Sequence, residues 1–306
     1  MMKPENITYL RELYGTGLQE NIPLSAYTSA RIGGPADAAL IARSADELAE
    51  IAMRMWEQEI PFIIIGGGSN LLVSDKGLRE LLIINRARGV HFNDNVESPH
   101  LQSESGNTMN DLAQKAALLG LGGLEWTATV PGSLGGAVYG NAGAFNGDMA
   151  GNLVSIDLVH RHFGRQTWPV EKMEYTYRSS ILKRQHQPVV ILSAELSVKR
   201  SSPEAVRQIM ERNSARRRST QPSGASMGSI FKNPPGDYAG RLIEGSGLKG
   251  KRVGNAEISP MHANFIVNHG QTSANDVKEL IGLVRQEVSQ KFGIELELEI
   301  ELVGEW

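Results

Sequence analysis

The chain has 306 residues, a formal net charge of −3 and no cysteine. This length is typical of about two domains and is sufficient for a buried core. The apolar fraction of 41% and the charged fraction of 21% indicate a globular protein. The small net charge gives no reason to expect nucleic acid or an anionic membrane as a partner. Without cysteine there can be no disulfide, thiolate metal site or cysteine nucleophile.

The sequence contains no recognisable targeting or membrane segment. Residues 1–15 lack the apolar core of a signal peptide, and no stretch approaches the apolar length that spans a bilayer. We therefore expect a cytoplasmic protein in a reducing compartment, without membrane insertion. We predict no metal site.

The first third alternates between helical and extended patterns. Residues 1–21 predict a short amphipathic helix, part of an N-terminal arm or lid over 1–26. A Gly-Gly-Pro turn then enters a strand that ends near Ala42, and Ser44 is placed to cap a helix. A further strand is predicted at 81–84, after the first glycine loop.

Residues 63–75 read IIIGGGSNLLVSD, which predicts a strand, a tight loop and a second strand. Gly66, Gly67 and Gly68 allow several N–H groups to turn inward and form a nest for a phosphate or pyrophosphate. The dinucleotide fingerprint differs, because there a helix follows the glycines, whereas Leu71 here begins an apolar run. Loop amides alone would hold the anion. A simple turn without a ligand is the alternative.

A second glycine-rich region spans 120–151, after a helix that Asn107 or Thr108 can cap. Loops of more than about 12 to 15 residues inside compact domains are usually functional or disordered. This one carries too many apolar residues to be disordered. Two such loops suggest one extended ligand contacted at both ends.

Strands are predicted at 153–160 and 189–198, with Arg178 between them in the segment YRSS. Ser201, Ser202 and Pro203 open a helix, and we place a domain boundary near Ser201.

The segment GSIFKNP, residues 228–234, combines a hydroxyl, an aromatic ring, a cation and an amide. It could be a structured loop in which Ser229 and Asn233 satisfy local backbone groups. It also contains the groups needed for a proton donor and an anion clamp.

The C-terminal part predicts a helix from Ser273 to Phe292, then a strand through IELELEIEL. In that strand Ile294, Leu296, Leu298, Ile300 and Leu302 would share one face, and four glutamates would share the other. Such glutamates usually mark a solvated edge. If the strand faced a cleft, a mid-strand carboxylate could be catalytic.

Six segments together resemble the UDP-N-acetylenolpyruvoylglucosamine reductase family, flavoenzymes of peptidoglycan precursor synthesis: GGGSNLLVSD, PGSLGGAVYGNAGAF, YRSS, GSIFKNP, HANFIVN and LELEI. The resemblance covers about residues 27–305. It implies an α+β flavin-binding domain of the vanillyl-alcohol-oxidase type over 27–200, in subdomains at 27–85 and 86–200. A smaller α+β substrate-binding domain would occupy 201–306. Because it lacks an aromatic-rich insertion in the C-terminal domain, the chain resembles the shorter of the family's two types.

The resemblance further implies noncovalent FAD, NADPH as electron donor and UDP-N-acetylglucosamine enolpyruvate as substrate. The pyrophosphate would contact 66–70, and 132–143 would face the isoalloxazine and ribityl groups. The implied cofactor contacts are Gly66, Gly67, Gly68, Ser69, Asn70, Leu71, Gly132, Ser133, Gly135, Gly136, Asn141, Ala142 and Gly143.

By the same resemblance, Arg178, Ser229 and Glu299 match the family's catalytic positions. Arg178 would hold the negative charge of an enolate, and Ser229 would protonate its α-carbon. Glu299 would hydrogen-bond the carboxylate region if protonated, or orient its neighbours if ionised. Lys232 and Asn233 would contact the diphosphate or sugar.

Three positions depart from the family's usual pattern: Met227, Leu298 and Glu301. Two other functions stay open on the residues alone. A flavin-dependent alcohol oxidase of the same fold often has a histidine or cysteine linked to FAD, which the glycine loops lack. A non-catalytic flavin-binding module would not need Arg178, Ser229 and Glu299 together.

Overall fold

The computed structural model describes residues 1–94 and 96–306. The helices are α1 Pro4–Tyr14, α2 Ala45–Glu57, α3 Met109–Leu118, α4 Leu134–Gly140, α5 Met149–Asn152, α6 Ile181–Arg184, α7 Pro203–Thr220, α8 Ala239–Gly245 and α9 Ala274–Phe292. The strands are β1 Gln19–Pro23, β2 Pro35–Ala42, β3 Phe62–Ile65, β4 Leu71–Val73, β5 Leu78–Asn85, β6 Val90–Asn93, β7 His100–Glu104, β8 Leu121–Gly122, β9 Gly143–Ala144, β10 Gly147–Asp148, β11 Leu153–His160, β12 Gly164–Pro169, β13 Val189–Ser197, β14 Lys199–Arg200, β15 Ala225–Ser229, β16 Arg252–Val253, β17 Ala256–Ile258, β18 Phe265–Asn268 and β19 Glu301–Val303.

The chain forms two compact units. Unit 1 comprises Met1–Ala39, Gly68–Leu82 and Arg218–Trp306, and unit 2 comprises Leu40–Gly67 and Ile83–Arg217. Each unit is therefore built from segments that are distant in sequence.

Unit 2 is organised by an antiparallel five-stranded sheet with the order β12-β11-β13-β7-β6. Apolar side chains of this sheet, such as Ile156 and Leu196, share a buried cluster with Leu112 of α3 and Leu134 of α4. Because successive side chains of a strand point to opposite faces, the polar residues between them lie on the other face. This core supports the 120–151 region, which contains α4, α5 and short strands in place of one long irregular loop.

Unit 1 contains an antiparallel sheet with the order β15-β18-β17-β16. Its buried cluster includes Met227 and Phe231 together with Leu242 of α8 and Val284 of α9. Strand β1 pairs antiparallel with residues 35–39 of β2, and β19 pairs in parallel with β4. The parallel pair joins the end of the chain to the strand after the first glycine loop.

The predicted helix starts are confirmed where a side chain can cap them. Ser44 Oγ accepts a hydrogen bond from Glu47 N, and Thr108 Oγ1 accepts one from Asp111 N. Ser273 forms a reciprocal capping box with Asp276. A capping oxygen satisfies an N–H that has no partner in the first helical turn, and this signal is local in sequence.

The long C-terminal strand predicted over 294–302 is wrong. Only Glu301–Val303 is strand, and the chain bends at residues 299–300. Leu296 and Ile300 are buried, but Leu302 is 41% exposed, so the alternation changes face at the bend. Pairing with two different partners, residues 230–232 and then β4, causes this break.

None of the helices in residues 1–94 and 96–306 is long and apolar enough to cross a membrane.

The last residue of the first glycine motif, Asp75, holds the start of α9. Its Oδ1 accepts from Ala274 N at 2.7 Å and its Oδ2 from Asn275 N at 3.1 Å. A carboxylate at a helix N-terminus satisfies free N–H groups and interacts favourably with the helix dipole. The GGGSNLLVSD motif therefore also has a structural function in unit 1.

We expect Asp75→Ala to lower the stability of unit 1 by about 1 to 2 kcal/mol, because two helix N–H groups lose their acceptor. Asp75→Asn should lose less, since its carbonyl oxygen can still accept one bond. The midpoint of urea unfolding, followed by circular dichroism, measures both effects. Equal midpoints for the parent and both variants would contradict the capping role.

Candidate functional site

The two glycine loops are in direct contact within unit 2. A Cβ atom on Gly66 would lie 2.0 Å from Ser133 Oγ, and one on Gly67 would lie 2.8 Å from Gly132 Cα. Real Cβ atoms do not approach other atoms so closely, so both positions require glycine for the loops to pack. The absence of a side chain at these two glycines therefore makes room for the second glycine loop.

Two main-chain donors of the first loop remain available. In the described part of the chain, the N–H groups of Gly67 and Gly68 donate no hydrogen bond to another protein group. Gly68 has φ +57°, a left-handed conformation that favours glycine, and its carbonyl accepts from Ser29 N at 3.0 Å. Adjacent unpaired N–H groups can receive an anion, as the sequence predicts.

Asn70 connects the first loop to the C-terminal segment within unit 1. Its side-chain Nδ2 donates to the Glu299 carbonyl at 3.0 Å, and its own carbonyl accepts from Glu301 N at 2.9 Å. Leu71 is opposite Glu301 in the parallel pair. The amide side chain of Asn70 thus has a clear structural partner, whereas its predicted contact with FAD stays a prediction.

The second glycine loop is built around α4. The N–H groups of Leu134 and Gly135 donate to the carbonyls of Asn107 and Ser105, each at 2.8 Å. Asn141 ends the helix with φ +47°, and its Nδ2 donates to Thr176 O at 3.0 Å. The predicted cofactor residues Gly132, Ser133, Gly135, Gly136, Asn141, Ala142 and Gly143 all belong to this compact turn of unit 2.

Arg178 lies at a strained turn beside that loop. Thr176 and Ser179 exchange main-chain hydrogen bonds of 3.0 and 3.1 Å, and Arg178 between them has φ +56°. For a residue with a Cβ atom this conformation is costly and requires support from its surroundings. Arg178 Nη1 lies 3.3 Å from where a Cβ on Gly143 would be.

Two flanking side chains supply that support. Tyr175 donates its hydroxyl to Val138 O at 2.8 Å, and Ser180 donates to Tyr139 O at 2.7 Å. Burial raises the pKa of Tyr175, so the phenol keeps the proton that it donates. These bonds join the Arg178 turn to the last turn of α4.

Ser229 follows a β-bulge in unit 1. Ser226 is opposite Val267 in the β15–β18 pair, but Ser229 is opposite Phe265, so β15 contains one extra residue. Gly228, with φ +75°, lies within the bulge. A bulge changes the face to which the following side chains point, and such bulges are common next to active sites. Here it sets the direction of the half-buried Ser229.

Glu299 lies at the bend of the C-terminal segment and is hydrogen-bonded to the residue that follows Ser229. Its N–H donates to Ile230 O at 2.9 Å, and Lys232 N donates to Glu297 O at 2.8 Å. Unit 1 therefore brings the segments of Ser229 and Glu299 together. Arg178 belongs to unit 2.

The predicted substrate contacts both have protein partners. The Lys232 ammonium pairs with the exposed Glu297 carboxylate, and the Lys232 side chain is only 16% exposed. Asn233 Oδ1 accepts from Ala239 N at 3.0 Å at the start of α8. Their contact with a diphosphate or sugar stays a prediction.

The three departures from the family pattern have local explanations. Met227 is buried in the core of unit 1, Leu298 forms a bridge with Phe231, and Glu301 is the first residue of β19. The side chains of Met227 and Leu298 pack in unit 1, and the main chains of Leu298 and Glu301 form strand pairings.

Sequence reasoning missed Asn264, which lies in the segment HANFIVN. It is buried, and its side chain forms two hydrogen bonds with the main chain of Phe231. A polar residue between the apolar residues Ala263 and Phe265 was the available signal.

In residues 1–94 and 96–306 there is no cluster of three or more histidine, aspartate or glutamate side chains that could hold a metal ion.

Two family models match the chain. The model described as an FAD binding domain matches residues 36–162, and that of the UDP-N-acetylenolpyruvoylglucosamine reductase C-terminal domain matches residues 220–303. These matches confirm the predicted α+β fold, with a flavin-binding domain followed by a smaller C-terminal domain.

Relatives of the same name cover nearly the whole chain. The UDP-N-acetylenolpyruvoylglucosamine reductase of Chloroflexus aggregans is 40% identical over 96% of this chain and 100% of its own. That of Moorella thermoacetica is 41% identical over 98% of this chain and 99% of its own. The crystal structure of UDP-N-acetylenolpyruvylglucosamine reductase from Thermus caldophilus has a TM-score of 0.76 at 35% identity, covering 92% of this chain and 97% of that one. The chain therefore belongs to the UDP-N-acetylenolpyruvoylglucosamine reductase family.

Proposed function

We propose that this enzyme uses NADPH to reduce the enolpyruvyl ether of UDP-N-acetylglucosamine to UDP-N-acetylmuramate through bound FAD. The observation that carries the proposal is the pairing of the Ser229 and Glu299 segments in a chain similar to these reductases over nearly its full length. The match to an FAD binding domain supports FAD as the cofactor.

The first glycine loop fits the phosphate groups of FAD. The N–H groups of Gly67 and Gly68 have no protein acceptor in the described residues, which is the donor set that a pyrophosphate needs. Residues 66–70 would hold the pyrophosphate, and 132–143 would hold the isoalloxazine and ribityl groups. Bound FAD supplies the hydride.

Arg178 stabilises the negative charge that develops on the substrate's enolpyruvyl group. A guanidinium is permanently charged and presents donors in a fixed plane, so it requires little reorganisation when charge appears. The strained turn at Arg178, held to α4 by Tyr175 and Ser180, keeps this donor oriented.

Ser229 donates the proton to the α-carbon. A serine hydroxyl is a weak acid, but an enolate carbon is basic enough to accept its proton. Glu299 acts at the carboxylate region of the same group. The backbone bonds through Ile230 fix the distance between the Ser229 and Glu299 segments.

Lys232 and Asn233 contact the substrate's diphosphate or sugar. They lie immediately after the segment that carries Ser229. The Lys232 ammonium is an anion partner that Glu297 orients.

An alcohol oxidase of the same fold is not favoured by the names of the relatives.

The visible spectrum of the purified protein reports bound flavin. NADPH oxidation with and without the UDP-enolpyruvyl sugar then tests the proposal. Oxidation that depends strictly on the sugar supports the reductase; oxygen consumption with an alcohol would support the oxidase. Bound flavin that never turns over would support a binding module.

We predict that Ser229→Ala leaves flavin reduction by NADPH intact and nearly abolishes product formation, because only the proton donor is removed. Rapid-mixing absorbance measures the flavin step, and chromatography measures the product. Product formation at the parent rate would show that another group donates the proton.

Arg178→Lys should lower kcat for the UDP-sugar by about 100-fold, since an ammonium cannot present the planar pair of donors of a guanidinium. Arg165→Lys is the matched control: it lies on β12 in unit 2 and pairs with the exposed Asp46. The control should stay near the parent kcat. Equal losses in both variants would contradict a special role for Arg178.

We expect Gly67→Ala to weaken FAD binding by about tenfold or more, because its Cβ would force the Gly67 and Gly132 backbones apart. Quenching of FAD fluorescence by the apoprotein measures the dissociation constant. Gly282→Ala is the control, since a Cβ there meets no atom within 4 Å. Unchanged FAD affinity in Gly67→Ala would refute the requirement for close loop packing.

A further inference from the structure

The main chain of Phe231 is clasped by one buried amide side chain. Phe231 N donates to Asn264 Oδ1 at 2.9 Å, and Asn264 Nδ2 donates to Phe231 O at 2.8 Å. The main-chain carbonyl of Asn264 also accepts from Ile230 N at 2.9 Å. Asn264 thus replaces the strand ladder at the point where β15 ends.

This clasp cannot be replaced by solvent. Asn264 is 4% exposed and Phe231 is 1% exposed. In a dry environment the N–H and C=O of Phe231 would be costly to leave without partners. The amide is well suited here, because its planar group presents an acceptor and a donor side by side.

The clasped residues also carry the contacts that join Ser229 to Glu299. On the other side of the segment, Ile230 O accepts from Glu299 N, and Lys232 N donates to Glu297 O. Residues 230–232 therefore lie between Asn264 and the C-terminal segment. Any shift of Phe231 would move Ser229 and loosen Glu299 together.

We propose that Asn264 is a positioning residue for the protonation step: it fixes the Ser229 hydroxyl and the Glu299 segment without touching the substrate. This inference rests on the proposed function. A misplacement of about 1 Å at a reacting group can cost about 100-fold in rate. The side chain is buried, so it acts only through the backbone of residues 230–232.

Asn264→Asp tests this role with almost no change of shape. An ionised aspartate still accepts from Phe231 N but opposes Phe231 O with a second oxygen, so the segment should shift. We expect kcat for the UDP-sugar to fall by about 10- to 100-fold. The KM for the sugar and the rate of flavin reduction by NADPH should change by less than about threefold.

Protonation should rescue the variant. A protonated aspartate donates to Phe231 O as the amide does, and burial favours the neutral acid. The ratio of variant to parent kcat should therefore rise as the pH falls from about 8 to about 6. The solvent isotope effect on product formation should be larger in the variant, because proton transfer becomes limiting.

Asn213→Asp is the matched control. Asn213 is also buried, and its Nδ2 donates to the Glu125 carbonyl at 3.3 Å in unit 2. It should show no pH-dependent rescue and no larger isotope effect. Asn264→Ser serves as a second variant if the aspartate variant does not fold, and it should show the same loss of kcat with an intact flavin step.

The outcomes separate the two proposals. A parent enzyme without sugar-dependent NADPH oxidation refutes the proposed function. With an active parent, unchanged kcat in both Asn264 variants refutes the positioning role. An equal fall in the rates of flavin reduction and product formation overturns the positioning role in favour of a purely structural one. Failure of both variants to fold has the same consequence.

Discussion

The main-chain hydrogen bonds between residues 230–232 and 297–299 are the constraint on which the unit 1 half of the site depends. They hold Ser229, at the end of a bulged strand, beside the bend that carries Glu299. Ile230, whose carbonyl accepts from Glu299 N, is 1% exposed, and a bond to so buried a residue is expensive to break without replacement. Asn70 and Asn264 brace it from opposite sides, each with an amide side chain bonded to main-chain atoms.

In unit 2, close packing of the glycine loops and the support of the Arg178 turn fix the positions of the proposed site residues. The two glycine loops pack closely, Gly67 against the backbone of Gly132 and Gly66 against the side chain of Ser133, which is possible only because neither Gly66 nor Gly67 has a Cβ atom. Arg178 is held in a left-handed conformation by the bonds of Tyr175 and Ser180 to α4. A strained residue that the surrounding structure supports in this way is common at functional sites, because the strain fixes the side chain before the ligand arrives. The guanidinium in this turn is consistent with the proposed stabilisation of a developing negative charge.

Several side chains in or next to the family motifs stabilise the fold of unit 1. Asp75 ends the glycine motif and caps α9, while Asn233 follows the Ser229 segment and caps α8. Met227, which departs from the family pattern, belongs to β15, and its side chain is buried in the core of unit 1. Residues in the motifs that identify the family therefore have structural functions in this chain, and a match to the motifs does not by itself assign a ligand contact to each residue. The individual FAD and substrate contacts, like the boundary near Ser201, stay predictions.

The sequence by itself determined the family, the α+β class and those elements whose signals are local. The caps of Ser44, Thr108 and Ser273 and the strands around the first glycine loop could be predicted, because they depend on neighbouring residues and on simple periodicity. Only the tertiary structure decided that the C-terminal segment bends at Glu299, that Gly66 and Gly67 make room for protein, and that Asn264 clasps Phe231. Each of these features depends on partners far away in the chain, and an alternating pattern of apolar and charged residues does not specify which backbone will pair with it.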